Sequence, residues 1–354
     1  MSVLDVLLLI AGLFGVAIFL FDLFNAVVVP RQTFNPLRVG SRLVRWSWIW
    51  WRELCLRFSP GDRREELLAA FAPVAMVGLL FVWMGGLIVC YGIAFYALRA
   101  NYNPIIASFG DAVYLSASSM LTIGFGDIVV TGAFARVLAM ASAASGLAVV
   151  AVVISFLFQT FAAFQRREVF VVTLGQRAGA PPSGVTLLET AMKLDLVDDL
   201  MATLRSGQIW SNEVLESHLA YPILIFFRSS HDDESWVGAL GALLDASTLL
   251  LTVTDGLPKG QATLMLATGH HLVNDLGRYF ASGDDDDPGL ERFEFDQACE
   301  RLKSAGAHVQ TGDDSWLAFK KIRAKYAAPL NAMAKSLAIP PTLWIGDRSP
   351  LRRH

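Results

Sequence analysis

Three long apolar stretches dominate the first half of this 354-residue chain. They run over about Val3–Val29, Leu67–Leu98 and Gly132–Phe164. A helix that crosses a lipid bilayer needs roughly 20 mostly apolar residues, and each stretch exceeds that length. The first stretch has neither the basic start nor the small-residue cleavage site of a secretory signal peptide. We therefore predict three transmembrane helices.

The charged residues are distributed unevenly, with a step near residue 165. Residues 1–165 contain 10 Arg, no Lys and 8 acidic residues, so about 11% of them are charged, against about 23% of residues 166–354. The second half thus has the composition of a soluble domain, for which about 25% is typical. The net charge of −3 argues against a nucleic-acid partner. Three cysteines are too few for the disulfide framework of a secreted protein.

Arginines in the connecting segments predict the orientation of the spans. Eight lie between the first and second spans: Arg31, Arg38, Arg42, Arg45, Arg52, Arg57, Arg63 and Arg64. Between the second and third spans, Arg99 alone precedes Arg136, which lies just inside the third span; Arg166 and Arg167 follow that span. Positive residues concentrate in cytoplasmic loops. We therefore expect a multi-pass protein of the cell membrane, with its N-terminus extracytoplasmic and its C-terminal domain cytoplasmic.

The segment from Pro36 to Phe58 is apolar but is not predicted to span the membrane. Its arginines make spanning costly; four of them share one helix face: Arg38, Arg42, Arg45 and Arg52. Tryptophans occupy much of the rest of the helix, which favours an amphipathic helix in the cytoplasmic interface. A voltage sensor is the alternative, but it requires a longer run of every-third arginines and further spans before it.

Between the second and third spans lies a segment that is too short to cross the membrane. Residues 108–120, which Ser108 can cap, suit a re-entrant helix of about 13 residues. The sequence Thr-Ile-Gly-Phe-Gly-Asp follows directly at residues 122–127. Glycines spaced by one residue permit left-handed backbone angles, and alternating such residues with ordinary ones directs successive carbonyls to one side. A ring of carbonyls can replace the hydration shell of a cation.

This motif resembles the selectivity filter of potassium channels, usually written T-V-G-Y-G-D. The resemblance covers about residues 67–165, since the short helix and a span on each side also match. Arg136 falls near the basic residue that opens the inner helix of many bacterial members. Gly146, ten residues later, falls at their hinge glycine.

The resemblance implies a function for each filter residue. Dehydrated potassium ions would bind between the backbone carbonyls of four residues: Thr122, Ile123, Gly124 and Phe125. The Thr122 hydroxyl would supply a further oxygen ligand. Gly126 would form the outer turn, and Asp127 would support the filter from behind. Because one filter segment closes no pore, the resemblance implies a homotetramer. It implies no cofactor other than the permeating potassium ions.

The sequence also departs from the family pattern near the filter. Tyr114 and Leu115 stand where potassium channels often have two tryptophans. Ser118 stands where some bacterial members have a glutamate. The proline that often follows the filter is absent from residues 128–130. These differences bear on the rigidity of the filter, on inactivation and on the rejection of sodium.

Candidate gating residues lie on the third span, and each has a structural alternative. Gly146 is either a hinge or a site of close helix packing by small residues. Ile154 and Phe158, with Ala162, either line the cytoplasmic end of the pore or pack against lipid and other helices. Asp22, an acid within the first span, suggests function by its position, although a structural pair with an arginine of the interfacial helix is favoured.

The second half reads as helical, so the fold class is an all-α membrane protein with three spans, a re-entrant pore helix and a helical cytoplasmic domain. We divide the chain into residues 1–66 (first span and interfacial helix), 67–165 (pore domain), 166–184 (linker) and 185–354 (cytoplasmic domain of about six helices). Helical patterns are expected at Leu187–Leu200, at Val214–Ile223 with a kink at Pro222, and roughly over residues 233–252, 261–281, 289–304 and 313–338. The histidines of this half have no metal-ligand spacing, and no catalytic motif is present, so no enzyme activity is expected.

The sequence therefore predicts a homotetrameric, potassium-selective channel that conducts potassium passively. Its partners would be other copies of itself and membrane lipid, and a regulatory ligand for the cytoplasmic domain is left open. Two alternatives remain: a weakly selective cation channel, and a membrane-anchored signalling or scaffold protein with a vestigial pore.

Overall fold

A computed structural model describes residues 2–27, 39–58, 62–231, 233–278 and 290–345. Within these residues the chain forms twelve α-helices: α1 Val3–Val27, α2 Val39–Phe58, α3 Asp62–Ala97, α4 Phe109–Met120, α5 Ala133–Ala178, α6 Gly184–Lys193, α7 Val197–Ala220, α8 Trp236–Thr252, α9 Gly260–Gly277, α10 Arg292–Ser304, α11 Asp313–Arg323 and α12 Ala327–Ser336. Short 3-10 helices occupy Arg99–Asn101 and Pro222–Phe226, and two-residue strands β1 (Tyr102–Asn103) and β2 (Val129–Val130) pair antiparallel. The all-α prediction is confirmed.

The chain divides into two compact units. The pore unit consists of Met1–Ser59, Ala70–Phe161 and Ala220–Ile223, and the helical domain consists of Pro60–Ala69, Ala162–Leu219 and Leu224–His354. Each unit has its own hydrophobic core. Among the described residues, α1, α3 and α5 are long and apolar enough to cross a membrane, which confirms the three predicted spans.

Helix α5 is longer than its sequence pattern predicted. It has 46 residues, which corresponds to a length of roughly 69 Å, about twice the hydrocarbon thickness of a bilayer. The segment 166–184, predicted as a linker, is therefore helical as far as Ala178. Val171, Leu174 and Ala178 are buried in the core of the helical domain, and this burial stabilises the last turns of the helix.

The interfacial segment forms α2, although Arg38 lies outside the described residues. On α2, Trp48 is buried and contacts Phe71 of α3 edge-on, with ring centroids 4.9 Å apart, while Trp46 and Trp50 are exposed. The carboxylate of Asp22 on α1 accepts hydrogen bonds from the backbone N–H of Gly40 (3.1 Å) and the indole N–H of Trp83 (2.9 Å). Asp22 thereby joins α1, α2 and α3.

Two helices predicted for the second half are each divided. The pattern at residues 187–200 is split between α6 and α7, because Asp195 adopts a left-handed backbone with φ +54°. The pattern at residues 313–338 is split between α11 and α12. Apolar periodicity continues through both breaks, so it did not reveal them.

Helix α8 forms the centre of the helical domain. Every residue from Trp236 to Leu250 is buried, and α6, α9, α11 and α12 pack around it. With 17 residues, α8 is shorter than the roughly 20 residues of a typical spanning helix, and its complete burial identifies it as a core helix of the domain.

A buried polar network lies where α5 enters the core of the helical domain. Arg167 has a side chain only 1% exposed and pairs with Glu168 at 3.0 Å. Its Nη1 lies 3.2 Å from Nε2 of His218, and Nδ1 of His218 lies 2.7 Å from the carbonyl oxygen of Val214. Because the carbonyl oxygen requires a donor, Nδ1 carries the proton and Nε2 accepts from Arg167. The imidazole of His218 is therefore neutral.

This network predicts that the helical domain loses stability in mild acid. Burial and the Arg167 charge hold the pKa of His218 well below its usual value of 6.5. Below about pH 6.5 the unfolded chain binds a proton at this residue and the folded chain does not. The stability present above pH 6.5 is thus lost as pH falls, by up to about 1.4 kcal/mol per pH unit.

We expect the thermal unfolding midpoint of the purified protein to decrease as the pH is lowered from 7.5 to 5.5. The decrease should be smaller in His218→Gln. The glutamine amide oxygen can still accept from Arg167 but does not titrate. Burial and the charge of Lys325 also lower the pKa of His270, so this residue accounts for part of the remaining pH dependence. The variant His270→Gln is the control. Equal pH dependence in His218→Gln and the wild type would contradict the prediction.

Candidate ion-conduction site

The site begins with α4, the short helix predicted between the second and third spans. Its N-cap Ser108 accepts from the backbone N–H of Asp111 (3.2 Å), and the Asp111 carboxylate accepts from the Ser108 N–H (2.9 Å). This reciprocal capping box satisfies two backbone donors that the first turn leaves free. The helix has 12 residues and ends at Met120, so it positions the next residues without crossing a bilayer.

The residues after α4 have an alternating backbone. Thr122, Gly124 and Gly126 have φ values of +58°, +62° and +77°, whereas Ile123 and Phe125 do not lie in the left-handed region. Glycine adopts such angles without strain, and Thr122 adopts them at a cost. The N–H of Ile123 donates to the carbonyl oxygen of Ser118 at 2.9 Å, which attaches the start of this segment to α4. This alternation is the backbone property that the glycine spacing predicted.

Tyr114 on α4 supports the far end of the same segment. Its hydroxyl donates to Oδ2 of Asp127 at 2.9 Å, and its ring stacks on Phe125 with centroids 6.2 Å apart and planes 9° apart. The Asp127 carboxylate also accepts from the N–H of Ile128 at 3.2 Å. Tyr114 thus contacts Asp127 and Phe125 from a position where potassium channels often have tryptophan. The other two residues that depart from the family pattern, Leu115 and Ser118, are buried on α4.

On the predicted potassium-channel function, we expect Tyr114→Phe to conduct potassium but to inactivate several-fold faster than the wild type. The substitution keeps the stacked ring and removes the hydrogen bond to Asp127. Hydrogen bonds to a charged acceptor are stronger than those between neutral groups, so its loss loosens the attachment of Asp127 to α4. The decay of current in planar bilayers measures the effect.

Tyr91→Phe is the matched control for this variant. The Tyr91 hydroxyl bonds to the Ser145 hydroxyl at 2.8 Å, between α3 and α5. Unchanged decay in Tyr114→Phe, or equally accelerated decay in Tyr91→Phe, would show that the bond to Asp127 does not support the filter.

Short contacts frame the segment on its outer side. Strand β1, before α4, pairs with β2, after the filter motif, and the N–H of Thr131 donates to the carbonyl oxygen of Asn101 at 2.9 Å. Nε of Arg136 donates to the carbonyl oxygen of Val130 at 3.3 Å. Arg136, which we predicted as the basic residue that opens the inner helix, therefore also binds β2, the strand that follows the filter motif.

One ion pair of this frame was missed in the sequence. Arg99 donates to the carboxylate of Asp5 at 2.5 Å and lies over the ring of Tyr96. The pair joins the start of α1 to the turn that leads into β1. The sequence offered two signals: Asp5 near the start of the first apolar stretch, and Arg99 between the second and third stretches. Nothing in the sequence related the two.

Gly146 lies against the end of α4. A Cβ at this position would lie 2.1 Å from the carbonyl oxygen of Met120, far inside the distance that two such atoms tolerate. Of the two interpretations of Gly146, this contact favours close packing. The other gating candidates, Ile154 and Phe158, have side chains 47% and 73% exposed in the single chain, which leaves their assignment a prediction.

The residues of the predicted filter are exposed in the single chain. Ile123 is 50% exposed and Phe125 is 67% exposed, and no atom approaches the Cβ positions of Gly124 and Gly126 within 4 Å. Among the described residues, no group of three or more His, Cys, Asp or Glu side chains could hold a metal ion. The groups of this segment that could coordinate a cation are the backbone carbonyls and the Thr122 hydroxyl.

Comparison with known proteins gives the class of this region. Residues 83–163 match the model of a protein family described as ion channel, a range that includes part of α3, all of α4, the filter motif and part of α5. The chain is thus a multi-pass membrane protein whose residues 83–163 are similar to ion channels, and this similarity supports the resemblance to potassium channels at the filter motif.

A relative of uncharacterized activity also matches. Over 210 residues the chain is 24% identical to the uncharacterized membrane protein YdjJ of Bacillus subtilis (strain 168). The alignment covers 57% of this chain and 59% of that relative, so the chain spans less than two thirds of the relative's length. No solved structure matches the chain.

Proposed function

We propose that the protein is a homotetrameric, potassium-selective channel in the cell membrane. The observation that carries the proposal is the alternating backbone at Thr122, Gly124 and Gly126, directly after a re-entrant helix. In four copies around an axis, the carbonyls of residues 122–125 and the Thr122 hydroxyl would bind dehydrated potassium ions in succession. Potassium would then move passively down its electrochemical gradient, without an enzymatic reaction or a bound cofactor.

The exposed filter supports the tetramer. Apolar side chains such as Ile123 and Phe125 are half or more exposed in one chain, and irregular backbone at membrane depth is stable only when protein or a watery path surrounds it. Neighbouring copies would cover these side chains and leave the carbonyls facing the axis.

The remaining parts have supporting tasks in this proposal. The arginine-rich α2 would lie in the cytoplasmic interface, with exposed Trp46 and Trp50 among lipid headgroups. The N-terminus would be extracytoplasmic, and the helical domain would be cytoplasmic and would assemble or gate the pore. The family match to ion channels at residues 83–163 supports a function in transport and not in catalysis.

Potassium flux into liposomes tests the proposal. We expect the wild type to conduct and Gly124→Asp to conduct at the level of empty liposomes, because the side chain would be strained at φ +62° and would place a charge in the filter. Gly256→Asp is the matched control, since Gly256 also has a positive φ of +76° and open surroundings but lies in the helical domain. Equal flux through the wild type and Gly124→Asp would refute the proposal.

Bi-ionic reversal potentials for potassium against sodium test selectivity separately. A potassium-selective filter gives a reversal potential near the potassium equilibrium value. A value near zero would identify a weakly selective cation channel instead.

A further inference from the structure

The segment Leu224–Ser229 of the helical domain contacts two different membrane-spanning helices. We call it the coupling segment. It begins inside the 3-10 helix Pro222–Phe226 and ends before α8. The contacts below all lie within the helical domain, which includes the first turns of α3 and the last part of α5. We call these parts the domain-side ends of the two helices.

The first set of contacts holds the domain-side end of α5. Nη1 of Arg167 donates to the carbonyl oxygen of Leu224 at 3.0 Å, and Nη2 donates to that of Phe227 at 2.7 Å. The Ser229 hydroxyl donates to the carboxylate of Glu168, and the ring of Phe227 contacts that of Phe164 at 5.2 Å. Because the Arg167 guanidinium is buried and its planar donors fit fixed acceptors, these contacts are rigid.

The second set of contacts holds the domain-side end of α3. Arg228, next to Phe227, donates to the carboxylate of Glu65. The same guanidinium donates to the carbonyl oxygens of Leu337 (2.9 Å) and Ala338 (3.0 Å), just after α12. Arg228 is 11% and Glu65 is 28% exposed at the side chain. The pair is therefore accessible to water and easier to separate than the buried Arg167 contacts.

Adjacent residues of one short segment thus fix two helices. Both helices continue into the pore unit, where α3 and α5 flank the filter segment in sequence. A displacement of the coupling segment must move both domain-side ends together as long as both sets of contacts are present. If the contact between Glu65 and Arg228 separates, α5 keeps its contacts with the coupling segment and α3 loses the one it makes through Glu65.

We propose that the coupling segment transmits the state of the helical domain to the pore, with Arg228 and Glu65 as positioning residues that set the spacing of the domain-side ends of α3 and α5. This inference rests on the proposed channel function. The contact between Glu65 and Arg228 is the one that opens and closes during gating, and the Arg167 contacts are permanent.

Charge reversal tests the pair of Glu65 and Arg228. The readout is the open probability, which a purely structural role of the pair would not change. We expect Glu65→Arg and Arg228→Glu each to change open probability in planar bilayers at least fivefold, with single-channel conductance and reversal potential unchanged. The double reversal restores the pair and should return open probability to within twofold of the wild type. Glu189→Gln, which removes the domain ion pair with Arg301, is the matched control and should leave gating unchanged.

Hydrogen exchange of the full-length tetramer provides a readout that does not depend on conduction. In Glu65→Gln we expect at least tenfold faster exchange in peptides covering both residues 62–69 and 224–231, with the filter peptides unchanged. Coupling is overturned if exchange rises in residues 62–69 alone, or if the single reversals leave open probability within twofold of the wild type. A non-conducting wild type with the expected exchange pattern would refute the channel function but not the coupling.

Discussion

Gly146→Ala is expected to prevent assembly of the pore. An added Cβ would lie 2.1 Å from the carbonyl oxygen of Met120 and 2.7 and 2.8 Å from its carbonyl carbon and Cα. These are backbone atoms at the end of α4 and cannot turn aside as a flexible side chain can. The displaced helix end would carry the filter with it, because Ile123 and Gly124 hydrogen-bond to the carbonyl of Ser118 on the same turn.

For the proposed tetrameric channel, the readouts are the tetramer fraction on size-exclusion chromatography and potassium flux in liposomes, both of which should fall at least tenfold. Gly85→Ala is the matched control. It lies in the interior of α3, and no atom lies within 4 Å of its Cβ position. Alanine there should be neutral or should stabilise the helix by up to about 1 kcal/mol.

The experiment also separates the two interpretations of Gly146. A hinge that is only bent during gating predicts an assembled Gly146→Ala tetramer with altered gating. Close packing predicts that the tetramer itself is lost. Normal assembly of the variant would refute the packing interpretation.

Asp245→Ala is expected to destabilise the helical domain by about 3–5 kcal/mol, because it removes the carboxylate that neutralises the buried Arg323 cation. Asp245 lies on the buried helix α8 and accepts from the Tyr326 hydroxyl at 2.6 Å. Nε of Arg323 lies 3.4 Å from the same carboxylate oxygen, and the two side chains are 5% and 2% exposed. Burial and the Asp245 charge also raise the pKa of Tyr326 well above its usual value, so Tyr326 remains a donor at all working pH values.

Thermal unfolding of the purified protein measures this effect, and a fall of about 10 °C is expected for a domain of this size. Asp313→Ala is the matched control. It removes an ion pair of 2.7 Å with Arg292, but Asp313 is 90% exposed, and exposed pairs contribute about 0–1 kcal/mol. Equal midpoints for Asp245→Ala and Asp313→Ala would contradict the prediction.

Local patterns in the sequence were sufficient to predict the α-helices of the pore unit, but not its paired strands β1 and β2. The three spans follow from long apolar runs, and α4 was predicted from its length and its Ser108 cap. In the helical domain the same reasoning failed at particular residues. Asp195 interrupts an apolar pattern that continues on both sides of it, and α5 continues to Ala178 because its last turns are buried in a core that sequence periodicity does not reveal.

The pair of Asp5 and Arg99 shows a second limit. The two residues are 94 positions apart, and each has an ordinary composition around it. Their distance in sequence gives no pattern to detect, although together they connect α1 to the frame of the filter.

The sequence by itself predicted the membrane-spanning character and the left-handed backbone at Gly124 and Gly126, but not the positive φ of Thr122. Both depend on neighbouring residues: the length of an apolar run, and the freedom of glycine at positive φ. Only the tertiary structure decided that Gly146 packs on Met120, that His218 is neutral beside Arg167, and that one segment holds both α3 and α5. These properties arise from distances between residues far apart in the chain, which are fixed only when the cores have packed.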